Sequence, residues 1–336
     1  MHRWILAAAG TLTLAGGITA HAQQVRVSRS DVVSAAVARG PRLAVARADS
    51  AAAGAQVRLA RQFENPVLGL SFTKSYPQQH YAVDVPLDYP WLRGARIGSA
   101  QAGLGAATYR FAFEGGAVAF DADTTFTRAL AGAAKAALSR RTSLDADSLL
   151  SIARLRRDAG DASELDVQLA VVNAGQLANA AALDSMEAVS SLLAVQAVMG
   201  MKADAPTIVL GDTLEAPRAT ALGGGAGSTT TPLLVAAAEE DVRAAELAVT
   251  LERRRLFAAP ALSLGFEAKD PTAPDQGAMP TIGLSIPFPL FNQNGATIAI
   301  AQAQRDRALA TASLARIEIY SALARARNTA VASEIL

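Results

Sequence analysis

Residues 280–305, PTIGLSIPFPLFNQNGATIAIAQAQR, contain the pattern that decides the fold. Their first half alternates large apolar residues with small ones, which is the period of a β-strand that has two different faces. The apolar set is Ile282, Leu284, Ile286 and Phe288, and the other set is Gly283, Ser285 and Pro287. A corner containing Asn292, Asn294 and Gly295 then breaks the strand, and an Ala/Gln-rich helical segment follows. This combination favours a membrane β-barrel that continues into a helical tube.

A related pattern occurs earlier in the chain. Residues 83–102, VDVPLDYPWLRGARIGSAQA, align with the later copy at a shift of 201 positions, which places Pro86 on Pro287 and Gly94 on Gly295. Upstream, a shift of 194 aligns Pro66, Leu68, Leu70 and Phe72 with Pro260, Leu262, Leu264 and Phe266. The two shifts differ by seven residues, which fits a longer turn in the second pair of strands. The sequence therefore predicts a tandem repeat of helix, strand, strand and helix.

Composition excludes several classes of protein. The chain of 336 residues is 51% hydrophobic and 18% charged with a net charge of +1, so it is neither a disordered chain nor a nucleic-acid binder with a basic surface. It contains no cysteine, which excludes thiolate metal sites, thiol nucleophiles and disulfides. Two of the three histidines, His2 and His21, precede residue 23, which leaves His80. We expect no enzyme activity, no cofactor and no metal site.

Four consecutive parts are predicted along the chain. Residues 1–22 have a short basic start, an apolar core and an Ala-His-Ala end, which is typical of a secretory signal peptide. Residues 23–200 form the first repeat, residues 201–231 a linker and residues 232–336 the second repeat. Within the linker, the run from 208 to 210 is predicted to pair as a small strand.

Long helices are predicted on both sides of a turn. A helix over 30–64 is interrupted at Gly40-Pro41, because proline removes a backbone donor. A second helical run, weakened at 114–116, extends from 95 to about 157. After a turn at 158–160, Asp161 is predicted to cap the next helix together with Glu164. That helix runs to Gly200 with an apolar stripe that predicts a packing seam. The stripe is Leu165, Leu169, Val172, Leu183, Met186 and Leu193.

Four strands of about ten residues are predicted, at 66–75, 81–89, 260–268 and 280–288, which is the length of a transmembrane β-strand. Asp84 and Asp88 fall on the small-residue face, as expected of a wet lumen. Four strands are too few to close a barrel, since about eight are needed to surround packed side chains. Several chains would therefore share one barrel. An ordinary antiparallel sheet with the same alternation is the alternative.

Taken together, the chain resembles the TolC-like outer-membrane efflux protein family, and within it the metal and cation efflux branch typified by CzcC and CusC. The resemblance rests on Gly40-Pro41, on Asn65-Pro66 with Leu68, Leu70, Ser71 and Phe72, on Gly160 with Ser163, Leu165 and Asp166, and on residues 283–292, GLSIPFPLFN. It covers nearly the whole chain after residue 22.

The resemblance implies an α+β membrane protein. Long helical hairpins would form a periplasmic α-barrel, and four transmembrane strands per chain would contribute to a shared barrel of twelve strands in a homotrimer. The implied function is the outer-membrane channel of a tripartite efflux system, a passive conduit for small molecules or metal cations. The implied partners are a periplasmic adaptor, or membrane fusion protein, and an inner-membrane pump, most simply of the RND type.

One departure from the family pattern concerns the C-terminal part. Family members continue with a second helical hairpin that corresponds to residues 120–200, whereas this sequence ends within its first arm. We therefore expect a truncated chain or a differently built tunnel mouth. The alternative function is a secreted or periplasmic coiled-coil interaction protein without channel activity.

Two groups of charged residues are candidate sites under the implied architecture. Asp84, Asp88 and Glu267 would form acidic rings in the lumen of a threefold barrel, which favours cations; hydrogen bonding within the wall is the alternative. The tip of the hairpin would dock the adaptor, since charges at an exposed end steer partners; an ordinary solvated turn is the alternative. The tip residues are Arg156, Arg157, Asp158, Gly160, Asp161, Ser163 and Glu164.

The run Arg253-Arg254-Arg255 allows two interpretations, a phosphate or lipid headgroup site and a solvated helix face. The solvated face is the simpler of the two.

Overall fold

The structure is a computed structural model that describes residues 25–214, 231–255, 259–268 and 279–335. The predicted signal peptide and linker residues 215–230 lie outside the described residues. Six strands and six helices follow one another in the described parts of the chain. They are β1 (Val25–Val27), α1 (Arg29–Arg39), α2 (Pro41–Arg61), β2 (Val67–Phe72), β3 (Gln79–Pro86), α3 (Pro90–Asp158), α4 (Glu164–Val198), β4 (Ile208–Leu210), α5 (Leu233–Arg254), β5 (Ala261–Ala268), β6 (Met279–Ser285) and α6 (Gly295–Ile335).

These elements form two compact units, which are described separately. The first contains residues 25–33 and 122–214, and the second contains residues 34–121 together with the described residues after 230. The order helix, strand, strand, helix occurs at α2 to α3 and again at α5 to α6. The tandem repeat and its boundaries stay a prediction from the sequence.

In the first unit, α3 and α4 form an antiparallel hairpin. Lys135 Nζ on α3 lies 2.8 Å from the Asp184 carboxylate on α4, and Ser139 also donates a hydrogen bond to Asp184. The buried residues of α4 include Val167, Ala174, Ala181 and Val195, which are spaced in multiples of seven. A seven-residue spacing keeps one face of a helix on its partner.

The apolar stripe predicted to be a packing seam is not covered within this chain. Leu165, Leu169, Val172, Leu183 and Met186 are more than half exposed, and Leu193 is half-buried. The sequence predicted a packing seam for this stripe without naming the surface that it packs against. The buried small residues Ala174 and Ala181 lie on the opposite face of α4.

The turn of the hairpin is capped by different residues from those predicted. Ser163 is the N-cap of α4, with its side chain accepting from the Asp166 backbone N–H while Asp166 accepts from the Ser163 backbone N–H at 2.9 Å. The prediction of Asp161 with Glu164 was therefore wrong by two residues. Gly160 has φ +83°, and the Asp161 N–H reaches the Arg156 carbonyl at 2.8 Å. The left-handed Gly160 ends α3 early enough for Ser163 to begin α4.

A buried glutamine connects the end of α4 to the segment before β4. Gln196 Nε2 donates to the carbonyls of Lys202 and Ala205 at 2.8 and 3.0 Å, and its Oε1 accepts from the Thr207 N–H at 2.8 Å. β4 then pairs in parallel with β1, with Val25 opposite Ile208. The small strand predicted at 208–210 is confirmed.

The predicted interruption at Gly40-Pro41 is also confirmed, since α1 ends at Arg39 and α2 begins at Pro41. A Cβ atom at Gly40 would lie 2.2 Å from the Ala36 carbonyl oxygen, so glycine is required by this close approach. In contrast, α3 continues through Gly115-Gly116 without a break, and there Arg42 donates to Glu114 at 2.8 Å.

The second unit contains a four-stranded antiparallel sheet in the order β2-β3-β5-β6. Its strands are shorter than predicted: β3 ends at Pro86 and β6 at Ser285. Asp88, Ile286 and Phe288 were predicted within strands and lie beyond their ends. Proline has no N–H for the sheet ladder, and Pro287 and Pro289 lie just beyond the end of β6.

All helices connected to this sheet leave from one end of it. Val67 at the start of β2 lies opposite Asp84 near the end of β3, Pro86 lies opposite Ala261, and Ala261 lies opposite Ser285. Helices α2, α3, α5 and α6 connect to the strands at this end, which we call the helix-bearing end.

Candidate functional site

The sheet has one apolar face, as the alternation predicted. Register places Leu70 opposite Tyr81, Tyr81 opposite Phe266, and Leu264 opposite Ile282. The rings of Tyr81 and Phe266 stack with centroids 4.6 Å apart on this face. Its side chains are widely exposed, with Leu70 at 66% and Ile282 at 79%. A contiguous exposed apolar face of this kind marks contact with a partner or with lipid.

Two edges of the sheet are open among the described strands. β2 and β6 each pair on one side, with β3 and β5 respectively. Open edges carry unpaired backbone N–H and C=O groups, which are costly in an apolar environment. The sheet therefore needs further strands if its apolar face is in lipid.

The opposite face carries small and polar residues, and it holds two of the three predicted lumen acids. Asp84 accepts a hydrogen bond from Ser263, which lies directly across on β5. Glu267 Oε1 lies 3.3 Å from His80 Nδ1, again directly across the pair of strands. Four residues of strand separate the two sites, about 13 Å. Asp84 therefore has a serine hydroxyl as its partner, and Glu267 has an imidazole.

Asp88, the third predicted acid, is not on the sheet. It lies between β3 and α3, where the Arg96 guanidinium donates to its carboxylate at 2.7 Å. The Asp88 side chain is 11% exposed. This contact agrees with the alternative interpretation of Asp88, in which the residue forms hydrogen bonds within the wall. A place for Asp88 in a lumen ring remains a proposal.

The hairpin tip is a turn in which Arg157 is paired with two carboxylates. Arg157 donates to Asp158 at 2.7 Å and lies 3.3 Å from Glu164, and Arg156 reaches the Asp161 carbonyl at 3.4 Å. A hydrogen bond from Gln168, followed by Arg157, holds the pKa of Glu164 below its usual value. The same pairing raises the pKa of Arg157, chiefly through Asp158. Arg156, Asp158, Asp161, Ser163 and Glu164 thus form one exposed polar surface around Gly160.

Helix α4 is, among the described helices, the one long and apolar enough to cross a bilayer by length and composition. Core helices of soluble proteins meet the same criterion. Asp184 lies within α4 and pairs with Lys135, and a charged residue in a span is costly. The exposed stripe of α4 steps by three and four residues, which is typical of helix–helix contact.

No group of three or more His, Cys, Asp or Glu side chains that could hold a metal ion occurs in the described part of the chain.

Sequence reasoning missed the partners that define these sites. Only the register of β3 with β5 shows that Ser263 is the partner of Asp84 and that His80 is the partner of Glu267. Arg96 lies eight residues beyond Asp88, on the next helix, and no local spacing rule connects them.

No protein-family model and no curated protein matches the sequence. Solved structures do match at the level of the fold. The outer-membrane channel CmeC of Campylobacter jejuni is 14% identical with a TM-score of 0.72, over 87% of this chain and 68% of that chain. The outer-membrane protein VceC of Vibrio cholerae is 16% identical with a TM-score of 0.70, over 90% of this chain and 79% of that chain.

CusC also matches, with 14% identity and a TM-score of 0.65 over 93% of this chain and 79% of that chain. The chain thus has the fold of these outer-membrane channels. The TM-score with CusC is lower than that with CmeC or VceC, so the comparison does not select the metal efflux branch.

Proposed function

We propose that this chain is the outer-membrane channel component of a tripartite efflux system and acts as a passive conduit without enzymatic activity. The observation that carries the proposal is the antiparallel sheet with one exposed apolar face, one small and polar face, and two open edges. In a bilayer, an open sheet must close so that each backbone group is paired. The fold shared with CmeC and VceC supports this interpretation.

The proposed assembly is a homotrimer. If β6 of one copy pairs with β2 of the next, three four-stranded sheets give a barrel of twelve strands, wide enough for a lumen. The helices would continue on the periplasmic side, and the exposed stripe of α4 would contact a neighbouring helix in the assembly.

The proposed partners are a periplasmic adaptor and an inner-membrane pump, with the pump of RND type as the simplest choice. The exposed tip around Gly160 is the proposed docking point for the adaptor. A cysteine introduced at Asp161 is expected to crosslink to the adaptor in cells; absence of a crosslink, with normal channel formation, would identify the tip as a plain solvated turn.

The exported substrate is proposed only as a class. Small molecules are the substrates proposed for this passive conduit. Export of metal cations is a narrower proposal, and its support is the sequence resemblance to the CzcC and CusC branch.

A second candidate is a secreted or periplasmic coiled-coil interaction protein. The exposed stripe of α4, in which Leu165, Leu169 and Val172 follow heptad steps, favours it. It gives no reason for the apolar face of the sheet, whereas the channel proposal accounts for both features.

Single-channel conductance separates the two functions. The chain from Gln23 onward, purified from outer membranes and added to a planar bilayer, is expected to give discrete conductance steps. A soluble protein without steps would support the interaction protein and overturn the channel.

A further inference from the structure

Basic and aromatic side chains surround the helix-bearing end of the sheet, and a passive conduit by itself gives them no role. We define the collar by residues from the end of α2, the start of α3 and the end of α5. The collar is Arg61, Phe63, Trp91, Arg93, Arg253 and Arg254.

Contacts made by Arg93 and Arg254 join these segments of the chain. The Arg93 guanidinium lies 4.1 Å from the centroid of the Phe63 ring, and its Nη2 donates to the Arg61 carbonyl at 3.0 Å. Arg254 Nη1 donates to the Trp91 carbonyl at 3.0 Å. The collar is therefore one local structure rather than arginines scattered along separate helices.

Positive charge is in excess at this end of the sheet. Residues 58–96 and 252–255 contain seven arginines and four carboxylates, Glu64, Asp84, Asp88 and Glu252. Asp88 is paired with Arg96, and Glu252 lies 3.7 Å from Arg255. At the opposite end, Lys74 is the one Lys or Arg among described residues 72–80, 266–268 and 279–280. The excess of basic charge thus distinguishes the helix-bearing end.

The collar also has free binding capacity. Arg61 and Arg253 are exposed, and neither forms an ion pair with a described residue. Phe63 is 67% exposed and Trp91 53% exposed. Aromatic rings with adjacent arginines are the arrangement found where a membrane protein meets the headgroup layer.

We propose that the collar binds the phosphate groups of anionic phospholipids in the leaflet at the helix-bearing end of the sheet. This inference rests on the proposed membrane-inserted channel. The planar guanidinium offers two parallel N–H donors to phosphate oxygens. Basic residues beside a span also attract anionic lipid, each contributing about a fivefold gain in binding. The exposed Trp91 and Phe63 would lie among the glycerol and upper acyl groups, with Arg61 and Arg253 at the phosphates.

The position of Trp91 provides the test. Trp4 and Trp91 are the two tryptophans of the sequence, so a Trp4→Phe variant reports fluorescence from Trp91 alone. The full chain is reconstituted in mixed vesicles of phosphatidylglycerol and phosphatidylcholine, with brominated acyl chains on one lipid at a time. Bromine quenches Trp91 from whichever lipid lies beside it. We expect brominated phosphatidylglycerol to be preferred about fivefold or more at low salt, and less at high salt.

Matched variants assign the preference to the collar. The double variant Arg61→Gln, Arg253→Gln is expected to lose the preference, so that both brominated lipids quench Trp91 nearly equally. The double variant Arg61→Lys, Arg253→Lys is expected to retain most of the preference for phosphatidylglycerol. Arg140→Gln with Arg141→Gln removes the same charge from exposed positions of α3 more than forty residues beyond Arg96, and should leave the preference unchanged. A loss in both glutamine pairs would overturn the assignment to the collar.

The outcomes distinguish this inference from the channel proposal. Quenching of Trp91 by neither brominated lipid would mean that the chain is not inserted, and both would fail. Equal quenching by both lipids, with normal conductance steps, would overturn lipid selectivity and leave the channel intact.

Discussion

The Arg96 guanidinium joins two segments of the chain that precede it. Its Nη2 donates to the Asp88 carboxylate at 2.7 Å, and its Nε donates to the Ala60 carbonyl at 2.9 Å. The end of α2 and the segment after β3 are thus connected through one side chain on α3. The Asp88 carboxylate is largely buried, and the Arg96 guanidinium compensates its negative charge.

Replacing Asp88 by Asn, or Arg96 by Gln, is expected to lower the free energy of unfolding by about 1–3 kcal/mol, because each change leaves a polar group without its charged partner. Thermal unfolding in detergent measures the effect. The double variant should cost less than the sum of the two single changes, since the second change removes nothing further. Additive losses would show that the two groups are not coupled.

Asp84 is expected to influence ion selectivity more than Asp88 does. Asp84 faces the neutral Ser263, whereas the charge of Asp88 is compensated by Arg96. In a threefold barrel, Asp84→Asn should lower cation preference in reversal-potential measurements, and Asp88→Asn should change it little. Unchanged selectivity for Asp84→Asn would remove this residue from the proposed lumen rings.

Gly40 and Gly54 form a matched pair for a stability measurement. Gly40→Ala is expected to destabilise the protein by roughly 1–3 kcal/mol, because the new Cβ would meet the Ala36 carbonyl at 2.2 Å. Gly54 lies within α2 with nothing near its Cβ position, so Gly54→Ala should stabilise by about 0.5–1 kcal/mol. Equal effects of both changes in thermal unfolding would contradict the close approach at Gly40.

The exposed stripe of α4 should matter to assembly rather than to the fold of one chain. Leu169→Glu with Leu183→Glu is expected to reduce the trimer fraction, seen by mass photometry in detergent, while helix content stays unchanged. Both leucines are more than half exposed in the single chain. The control is Ala174→Leu, which overpacks a buried position and should lower helix stability itself. Trimers that survive the double Glu variant would exclude the stripe from the interface.

The hairpin of α3 and α4 is expected to lose stability in acid. The Ser163 backbone N–H lowers the pKa of Asp166, and Lys135, followed by Ser139, lowers the pKa of Asp184, both from an ordinary value of 3.8. A carboxyl with a lowered pKa stabilises the folded state above that ordinary value, and the contribution disappears as pH falls through the folded-state pKa.

Circular dichroism melting between pH 6 and pH 3 checks this pH dependence. Asp166→Asn with Asp184→Asn should flatten the decrease that appears below about pH 4. The same decrease in the variant would assign the acid sensitivity to other groups.

Several features followed from local sequence alone, for definite physical reasons. The alternation of Leu264 and Ile282 with small residues dictates two faces for any strand they form, because side chains alternate at every residue. Pro41 must end a preceding helix, and the break between α1 and α2 lies there. The resemblance to outer-membrane channels was confirmed as a fold.

Other features depended on which segments meet in space. Ser163 rather than Asp161 caps α4, because the left-handed Gly160 sets where the new helix can begin. The α4 stripe is exposed, whereas the small residues Ala174 and Ala181 on the opposite face of the helix are buried.

The acidic residues show most clearly which features follow from the sequence and which depend on the tertiary structure. Sequence alone determined that Asp84 lies on the polar side of its strand, since this requires only the period of two. Tertiary structure decided that Asp84 meets Ser263, that Glu267 meets His80 and that Asp88 meets Arg96. These pairings join residues on different elements, and a hydrogen bond across elements depends on strand register and helix position, which no local pattern encodes.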